Sequence, residues 1–513
     1  MTELEKAQQR RIAELEEKLT FAMDQLAVLQ RHVFGRKSER TPPPAVPGQL
    51  ELKMDLLDED VEIERALKDA AASGKKKGGS RKGRQTRAAL FPASLPVVVR
   101  ELVPLEVQVA PELWRRIGEE ISEKLERDPA RVYLHRLVRP TYVKVDAPHE
   151  APVTAPLPPQ VIAGSLFGTE LLIDLAVSKF VHHQPLYRQA KALEWESGVC
   201  LSRATLCQTI ARLADAVEPV VRQMAREFWA GSVVQLDLTP VRCLSGEREG
   251  GSFLGHMWVC AAPGGDVLWH WNETKEAKVA RDVIPDGWRG VLQVDGGSEV
   301  ACHLRGGRDR AHPPPEGIVR AACWAHVRRK FFDGAQADCS QCARLLKIVN
   351  VLYRIEGEIA HLERGERARV REKRSARVIR GLRRRMDAIL QRERPKSAVG
   401  KAIVYALGQW DGLQTYLTRG EVPIDNNGVE NAIRPCALSK KNYLFIGAVH
   451  AGQRAAHFYT LLGSCLRRGL NPRAYLQWLF ALLPRATNHT VAELTPAAYA
   501  ASLASEGAAL RSA

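Results

Sequence analysis

The chain has 513 residues, 45% of them hydrophobic, which is enough for about three domains and at least one large core. Lysine and arginine number 75 against 59 acids, and the formal net charge of +16 favours a polyanionic partner over an acidic protein surface or a neutral substrate, with nucleic acid ahead of an anionic membrane. No apolar run approaches the roughly 18 to 20 residues that span a bilayer. The charged start MTELEKAQQRR does not read as a signal peptide, and ten cysteines scattered through apolar segments do not form a secreted disulfide framework, so reduced thiols and a cytoplasmic protein are expected.

At the start, Ile12, Leu15, Leu19, Ala22, Leu26, Leu29 and Val33 recur at three- and four-residue steps, the period of a helical seam. With charged flanking positions this predicts a coiled coil over 1–40 and at least a dimer; the plainer alternative is an amphipathic helix packed on its own domain. Pro42, Pro43, Pro44 and Pro47 then open a linker over 41–92, acidic from Glu51 to Glu64 and basic in SGKKKGGSRKGRQTR. That basic stretch is either a phosphate-tracking arm or a solvated linker. A small α+β module is expected over 93–150, where WRRIGEEISEKLERDPARVYLHRLVRPTYVKV reads as a short helix followed by two strands with Pro140 between them.

Over 160–228, the segment LYRQAKALEWESGVCLSRATLCQTIARLADAV predicts a helix, a turn holding Gly198 and a second helix capped by Ser202. As a helix-turn-helix it would place Arg203, Thr205 and Gln208 against base edges or phosphates; an ordinary helical hairpin fits the same pattern.

After Gly231 the period changes. SVVQLDLTPVRC alternates, HMWVCAA and DVLWHW read as strands, and GVLQVDG ends a strand on an aspartate, so an α/β core is expected over 229–335. Asp237 and Asp295 fall within or at the end of strands that can lie side by side, with room between them for a hairpin, a strand and a helix around KEAKVARDVI. Glu430 lies in IDNNGVENAIRP, where Asp425 or Asn426 can cap a helix that carries it inward, within a segment assigned to 416–465. Three carboxylates from three elements suit hard divalent cations, Mg²⁺ or Mn²⁺. Two such ions activate the attacking oxygen and stabilise the leaving one in phosphodiester chemistry, with Asp237 expected to bridge both and Asp295 and Glu430 each to hold one. An isolated strand-end aspartate is ordinarily a turn or capping residue, so spacing alone does not carry this reading.

Between the second and third acids, a helical insertion is expected over 336–415. From His361 to Lys396 it carries 14 basic residues against five acids, and either lies along DNA or forms a solvated basic helix pair. Cys323 and His326 followed by Cys339 and Cys342 have spacing that permits a zinc site. The reading adopted is instead a buried thiol and histidine beside the active site, with Arg328, Arg329 and Lys330 reaching DNA phosphates. Arg434, Lys440 and Lys441 follow Glu430 closely enough to neutralise phosphates next to the metals. A helical tail is expected over 466–513.

The strings RHVFGRKSER, IGEEISEKL, SKFVHHQPLYRQ, LSRATL, QLDLTPV, GVLQVDG, CWAHVRRKFFD, IDNNGVENAIRP and SKKNYLFIGAVHAG, in this order from about residue 10 to about 490, resemble transposases of the insertion-sequence-66 family, in the DDE superfamily. The resemblance implies an α/β multidomain chain with an RNase H-like catalytic core, a mixed sheet with flanking helices and a helical insertion. It further implies two-metal cleavage and strand transfer, and binding to terminal inverted repeats. By motif, Asp237, Asp295 and Glu430 correspond to the family's three acids. The expected partners are double-stranded DNA of element ends and target, a second copy of the chain and small accessory proteins of the element, in a cytoplasmic, nucleoid-associated setting without a membrane. A metal-dependent nuclease on the same fold and a catalytically dead repressor or domesticated remnant are the alternatives.

Two departures stand out. The family's cysteine zinc module has no counterpart here, because VPLEVQVAPELWRR and TYVKVDAPHEAP contain no cysteine; the small module must hold together by packing, or be loosened. Where many relatives carry a second acid after the first, this chain has Leu238, so Asp237 has no rival.

Overall fold

The computed structural model describes residues 95–512 except 129–130, 147–148, 246–250, 297–315, 338 and 395. The coiled coil expected over 1–40 and the linker over 41–92 lie outside the described residues. The rest forms two compact units, one containing Ala322–Gly420, the other containing the residues before and after that segment.

The larger unit begins with a sheet of β1 (Val97–Glu101), β2 (Trp114–Asp128), β3 (Arg131–Lys144) and β4 (Val153–Thr154), in which β3 pairs with the other three. The short helix expected at WRRIGEEISEKLER is strand β2, and Pro140 lies inside β3, opposite Glu119, not between two strands. Ile117, Ile121 and Leu125 do recur at helical spacing, but Gly118 weakens a helix by about 1 kcal/mol and here marks the register shift between the strands. The long pairing with β3 then decides the outcome, reinforced by Glu123–Arg136 (2.8 Å) and Glu120–Arg139 ion pairs across the strands. Tertiary pairing overrides local propensity in such cases.

Without cysteines, the module is fastened by backbone and carboxylate. The Leu125 N–H donates to Leu166 O (2.7 Å), and Gly168 N–H donates to Leu125 O (2.7 Å). Glu126 then accepts from the Leu171 N–H (2.8 Å) in the first turn of α1 (Thr169–Phe180), whose N-cap, Gly168, has no side chain to offer. Burial pushes the Glu126 carboxyl above its ordinary pKa, opposed by the Leu171 and Arg127 backbone N–H groups that donate to it. Arg127 and Arg473 both bond Asp174 (2.6 and 3.1 Å), adding a salt-bridged seam.

Helix α2 (Leu186–Ser197) ends on Gly198 at φ 68°, and Ser202 caps α3 (Arg203–Trp229) by accepting from the Thr205 N–H (3.0 Å). Glycine adopts this left-handed turn without the steric cost of a Cβ. Along α3, Leu206, Ile210, Leu213, Val217, Val220, Met224 and Phe228 make one buried stripe at steps of three and four.

A second sheet follows: β5 (Val233–Leu244), β6 (Ser252–Ala261), β7 (Val267–Asn272), then α4 (Ala277–Val283), β8 (Gly290–Val294) and β9 (Ile318–Ala322). The order across it is β7-β6-β5-β8-β9; β5, β6 and β7 are antiparallel neighbours, and β8 runs parallel to β5. β5 is therefore central, which is why Val234, Leu236, Val241 and Cys243 are all buried.

In the helical unit, α5 (Trp324–Gln336) packs on α6 (Ser340–Glu358), followed by α7 (Arg364–Val370), a π turn (Arg371–Ser375), α8 (Ala376–Leu390), α9 (Ala398–Gly408) and α10 (Trp410–Thr418). The α5–α6 contact is close because Gly334 is bare: a Cβ there would sit 2.4 Å from Cys342 Sγ. Buried Arg371 donates to Glu356 (2.6 and 2.9 Å) and to the carbonyls of Tyr416 and Arg419 (3.0 Å each), tying the π turn to α6 and α10. The helical unit thus starts before the expected 336 and ends after the expected 415, because α5 buries Trp324, Val327 and Phe331 and Trp324 Nε1 donates to Leu413 O (2.9 Å). Cys339 Sγ accepts from the Cys342 N–H (3.3 Å), and Cys323, His326, Cys339 and Cys342 gather into no four-ligand cluster among the described residues.

The larger unit is completed by α11 (Asn427–Tyr443), α12 (Val449–Arg467), α13 (Pro472–Leu482) and α14 (Pro496–Ser512). β7 is a sheet edge, and α12 covers it: Val267, Trp269 and Trp271 N–H donate to Ser464 Oγ (3.1 Å), Thr460 Oγ1 (3.0 Å) and Gln453 Oε1 (3.3 Å). Alternate strand residues meet helix positions spaced four and seven apart, so a row of edge donors is satisfied by one helix face. Tyr475, Leu476, Leu479 and Phe480 of α13 belong to the main core. Among the described residues no helix is long and apolar enough to cross a membrane.

Candidate active site

β5 and β8 are parallel neighbours with Gln235 opposite Gln293 and Leu236 opposite Val294; Asp237 follows the last of these pairs within β5, and Asp295 follows it directly after the end of β8. Asp237 shares a face of β5 with Gln235 two residues earlier, and Asp295 stands two residues after Gln293, just past the end of β8. Glu430 arrives from α11, which packs on β5 and β6 by its buried Val429, Cys436 and Ser439. The far end of that helix is tied down where Lys440 Nζ donates to Pro240 O (3.2 Å) and Thr239 Oγ1 (3.4 Å) of β5. Asn426 takes the N-cap position but makes no side-chain cap bond; Asp425 instead accepts from the Asn427 N–H (3.2 Å) and Asn427 Nδ2 (2.9 Å).

These placements bring the three carboxylates into one electrostatic group. Asp237 is pushed up to about 7, first by burial, then by repulsion from Asp295 and Glu430, against one stabilising bond from the Leu238 N–H to Oδ1 (2.7 Å). Burial first, and the like-charged neighbours after it, keep this carboxyl from ionising readily near neutral pH, a cost that a hard divalent cation bound by these oxygens would relieve.

A sequence model described as Transposase IS66 family matches residues 164–454, more than half of the chain and a span that holds all three acids. The chain belongs to the IS66 transposase family. A second model, Transposase C of IS166 homeodomain, matches residues 22–100. Three similar proteins come from Sinorhizobium fredii; of these, the uncharacterized protein y4qI is 30% identical over 477 residues, covering 90% of this chain and 84% of that protein. The uncharacterized protein y4jD is 32% identical over 372 residues, 70% of this chain and 71% of that protein. The uncharacterized protein y4hP is 27% identical over 509 residues, 91% of this chain and 86% of that protein.

In this IS66-family chain the residues expected to meet DNA fall into distinct situations. Arg203 and Gln208 are exposed at the start of α3, whereas Thr205 is engaged by the cap, its Oγ1 lying 2.8 Å from Ser202 Oγ. Arg434 is exposed one helical turn beyond Glu430, and Lys441 is exposed near the end of the same helix, while Lys440 is the half-buried anchor to β5. In the helical unit, Arg328 donates to Asn350 Oδ1 (2.8 Å), Arg329 pairs with Asp333 (3.0 Å), and Lys330 lies over the Tyr405 ring at 5.6 Å. On α8, Arg377, Arg380 and Arg384 stand exposed on one face, opposite buried Ile379, Leu382 and Met386.

Sequence reading missed one part of this site. Gln235 and Gln293 are 1% and 0% exposed and bond to each other and to the chain just before α11. The signal was present as a repeated Gln-x-Asp, in QLD of the first motif and QVD of the second.

Proposed function

We propose that this chain is a DDE-type DNA transposase that binds the terminal inverted repeats of its element, cuts at their ends and joins the freed 3′-hydroxyls to target DNA. The observation that carries the reading is the convergence of Asp237, Asp295 and Glu430 into one group, above a mixed sheet whose central strand bears the first acid. The strand order, with three antiparallel strands followed by one parallel to the first, supports an RNase H-like core.

Asp237, Asp295 and Glu430 would hold Mg²⁺ or Mn²⁺, which when bound supplies Lewis-acid activation of the attacking hydroxyl or water and stabilises the leaving oxyanion. Before that, Asp237 holds a proton near neutrality, so cation capture competes with a proton and strengthens as pH rises through about 7. Lys440 fixes α11 against β5 and thereby the approach of Glu430. Arg434 and Lys441 supply positive charge for the phosphates beside the acids. Arg203 and Gln208 at the exposed start of α3 read or grip the element ends, and the arginine face of α8 adds sequence-independent grip. The chain acts as a dimer or larger assembly on DNA at the nucleoid, with small accessory proteins of the element as partners.

Pre-cut inverted-repeat ends, Mg²⁺ and a target plasmid test the reading. Joined product supports a transposase; nicking without joining would assign a nuclease, and a gel shift without chemistry a DNA-binding protein. Asp295→Asn or Glu430→Gln retaining full joining would overturn the site assignment.

A further inference from the structure

Two glutamines in the middle of a sheet are an expensive choice for packing alone. A buried amide is costly unless hydrogen-bonded, and an apolar residue of the same volume would fill the space without that cost. Here both amide nitrogens are used, although Gln235 Oε1 is left without a hydrogen-bond partner among the described residues. Gln235 Nε2 donates to Gln293 Oε1 (2.8 Å) and to Asp425 O (2.8 Å), and Gln293 Nε2 donates to Pro423 O (2.9 Å). A third donor approaches from α12: Arg467 Nη1 bonds Gly428 O (3.0 Å), while its other nitrogens hold Gly265 O (2.7 Å) and Ala262 O (2.8 Å) of the β6–β7 turn. Three carbonyls within six residues of chain, at 423, 425 and 428, are therefore gripped immediately before Glu430.

Gly428 makes the close approach possible, because a Cβ at that position would lie 2.4 Å from Gln235 Oε1. Each glutamine also stands two residues before an acid, Gln235 before Asp237 on the same face of β5 and Gln293 before Asp295 just past the end of β8. The same two side chains thus precede the first two acids by two residues each and hold the segment that delivers the third.

We propose that Gln235 and Gln293 are positioning residues of the carboxylate site, a buried amide clamp that sets where Glu430 stands relative to Asp237 and Asp295. The inference rests on the reading of those three acids as the cation-holding site. A clamp of this kind acts through the acids, so its loss lowers cation affinity without touching the DNA-binding surfaces; partners that orient ligands from behind commonly change metal affinity 10- to 100-fold.

The test uses the full chain and Mn²⁺, followed by electron paramagnetic resonance as free ion is depleted. Gln235→Met and Gln293→Met keep side-chain length and remove the donors. We expect Mn²⁺ binding weakened about tenfold in each, unchanged affinity for end DNA, and a Mg²⁺ requirement for joining shifted upward by a similar factor. Asp237→Asn serves as the control: if Mn²⁺ binding is indifferent to that change, the three-acid reading fails. If Asp237→Asn abolishes binding but both methionine variants bind as wild type does, the clamp is refuted. Should Gln235→Met unfold, Gly428→Ala presses on the same contact from the loop side. It should weaken Mn²⁺ binding in the wild-type background and have less effect in Gln235→Ala, where the opposing oxygen is gone; equal effects in both backgrounds would refute the clamp as well.

Discussion

Replacing Asp237 with asparagine should make the cation-free protein more stable at pH 8, although it removes a central residue of the site. In the folded chain the Asp237 carboxyl is raised to about 7 by burial and by Asp295 and Glu430. An unfolded aspartate titrates near 3.9. Between those values the folded state keeps a proton that the unfolded state has released, so the contribution of this group is greatest at low pH and is lost as pH rises from about 4 through about 7. Above that window the ionised carboxylate is held at a cost of up to about 4 kcal/mol, because each pH step between the two titration points adds about 1.4 kcal/mol. Asparagine keeps an oxygen to accept the Leu238 N–H and carries no charge, so much of that cost should be recovered. With a melting-temperature change of roughly 2–4 °C per kcal/mol for mid-sized domains, the variant should melt about 3–8 °C above wild type at pH 8. Scanning calorimetry in excess chelator at pH 4.5 and pH 8 measures this. The difference should shrink toward zero at the lower pH, and added Mn²⁺ should raise the wild-type melting temperature while leaving the variant unchanged. Equal melting at pH 8, or a gap that widens on acidification, would refute the account of Asp237.

Other perturbations test separate parts of the molecule. Arg371→Met strands Glu356, half of a largely buried ion pair, and should cost the helical unit about 3–5 kcal/mol; thermal melts followed by circular dichroism should show recovery in Arg371→Met/Glu356→Met. Gly168→Ala places a Cβ 1.7 Å from Glu126 Oε2, displacing the carboxylate that caps α1. The expected loss is about 1–3 kcal/mol by urea denaturation, and it should be smaller in a Glu126→Ala background. On end DNA, Arg203→Ala should weaken binding across sequences and reduce the salt slope by about one. Gln208→Ala should instead erode discrimination between cognate and scrambled ends by about 1–3 kcal/mol, both changes being read from binding isotherms at several salt concentrations.

Features encoded by neighbouring residues were legible directly. Ser202 and Gly198 mark a helix start and a helix end through their own backbone chemistry, and the structure places a cap and a left-handed turn there. Asp237 could be assigned to a strand and Asp295 to a strand end because alternation and β-branched content are local properties. The β2 segment was not legible, since its isoleucines and leucine fit a helix face equally well, and only the cross-strand partners of β3 chose between the two. The limits of the helical unit were hidden similarly: Trp324 and Leu413 lie far apart in sequence, and nothing near either announces their hydrogen bond.

For the candidate site, the sequence by itself determined the chemical inventory: three acids on separate elements, a helix start shortly before the third, and a Gln-x-Asp repeat at the first two. What only the tertiary structure decided is how these act on one another. Asp237 titrates near 7 because folding removes water and brings two other acids toward it, a through-space effect that chain spacing does not contain. Gln235 and Gln293 become a clamp only when two parallel strands register and a loop some 130 or more residues further along lays its carbonyls against them. Local rules specify which groups are available; close packing in a medium of low dielectric specifies their strength and their partners.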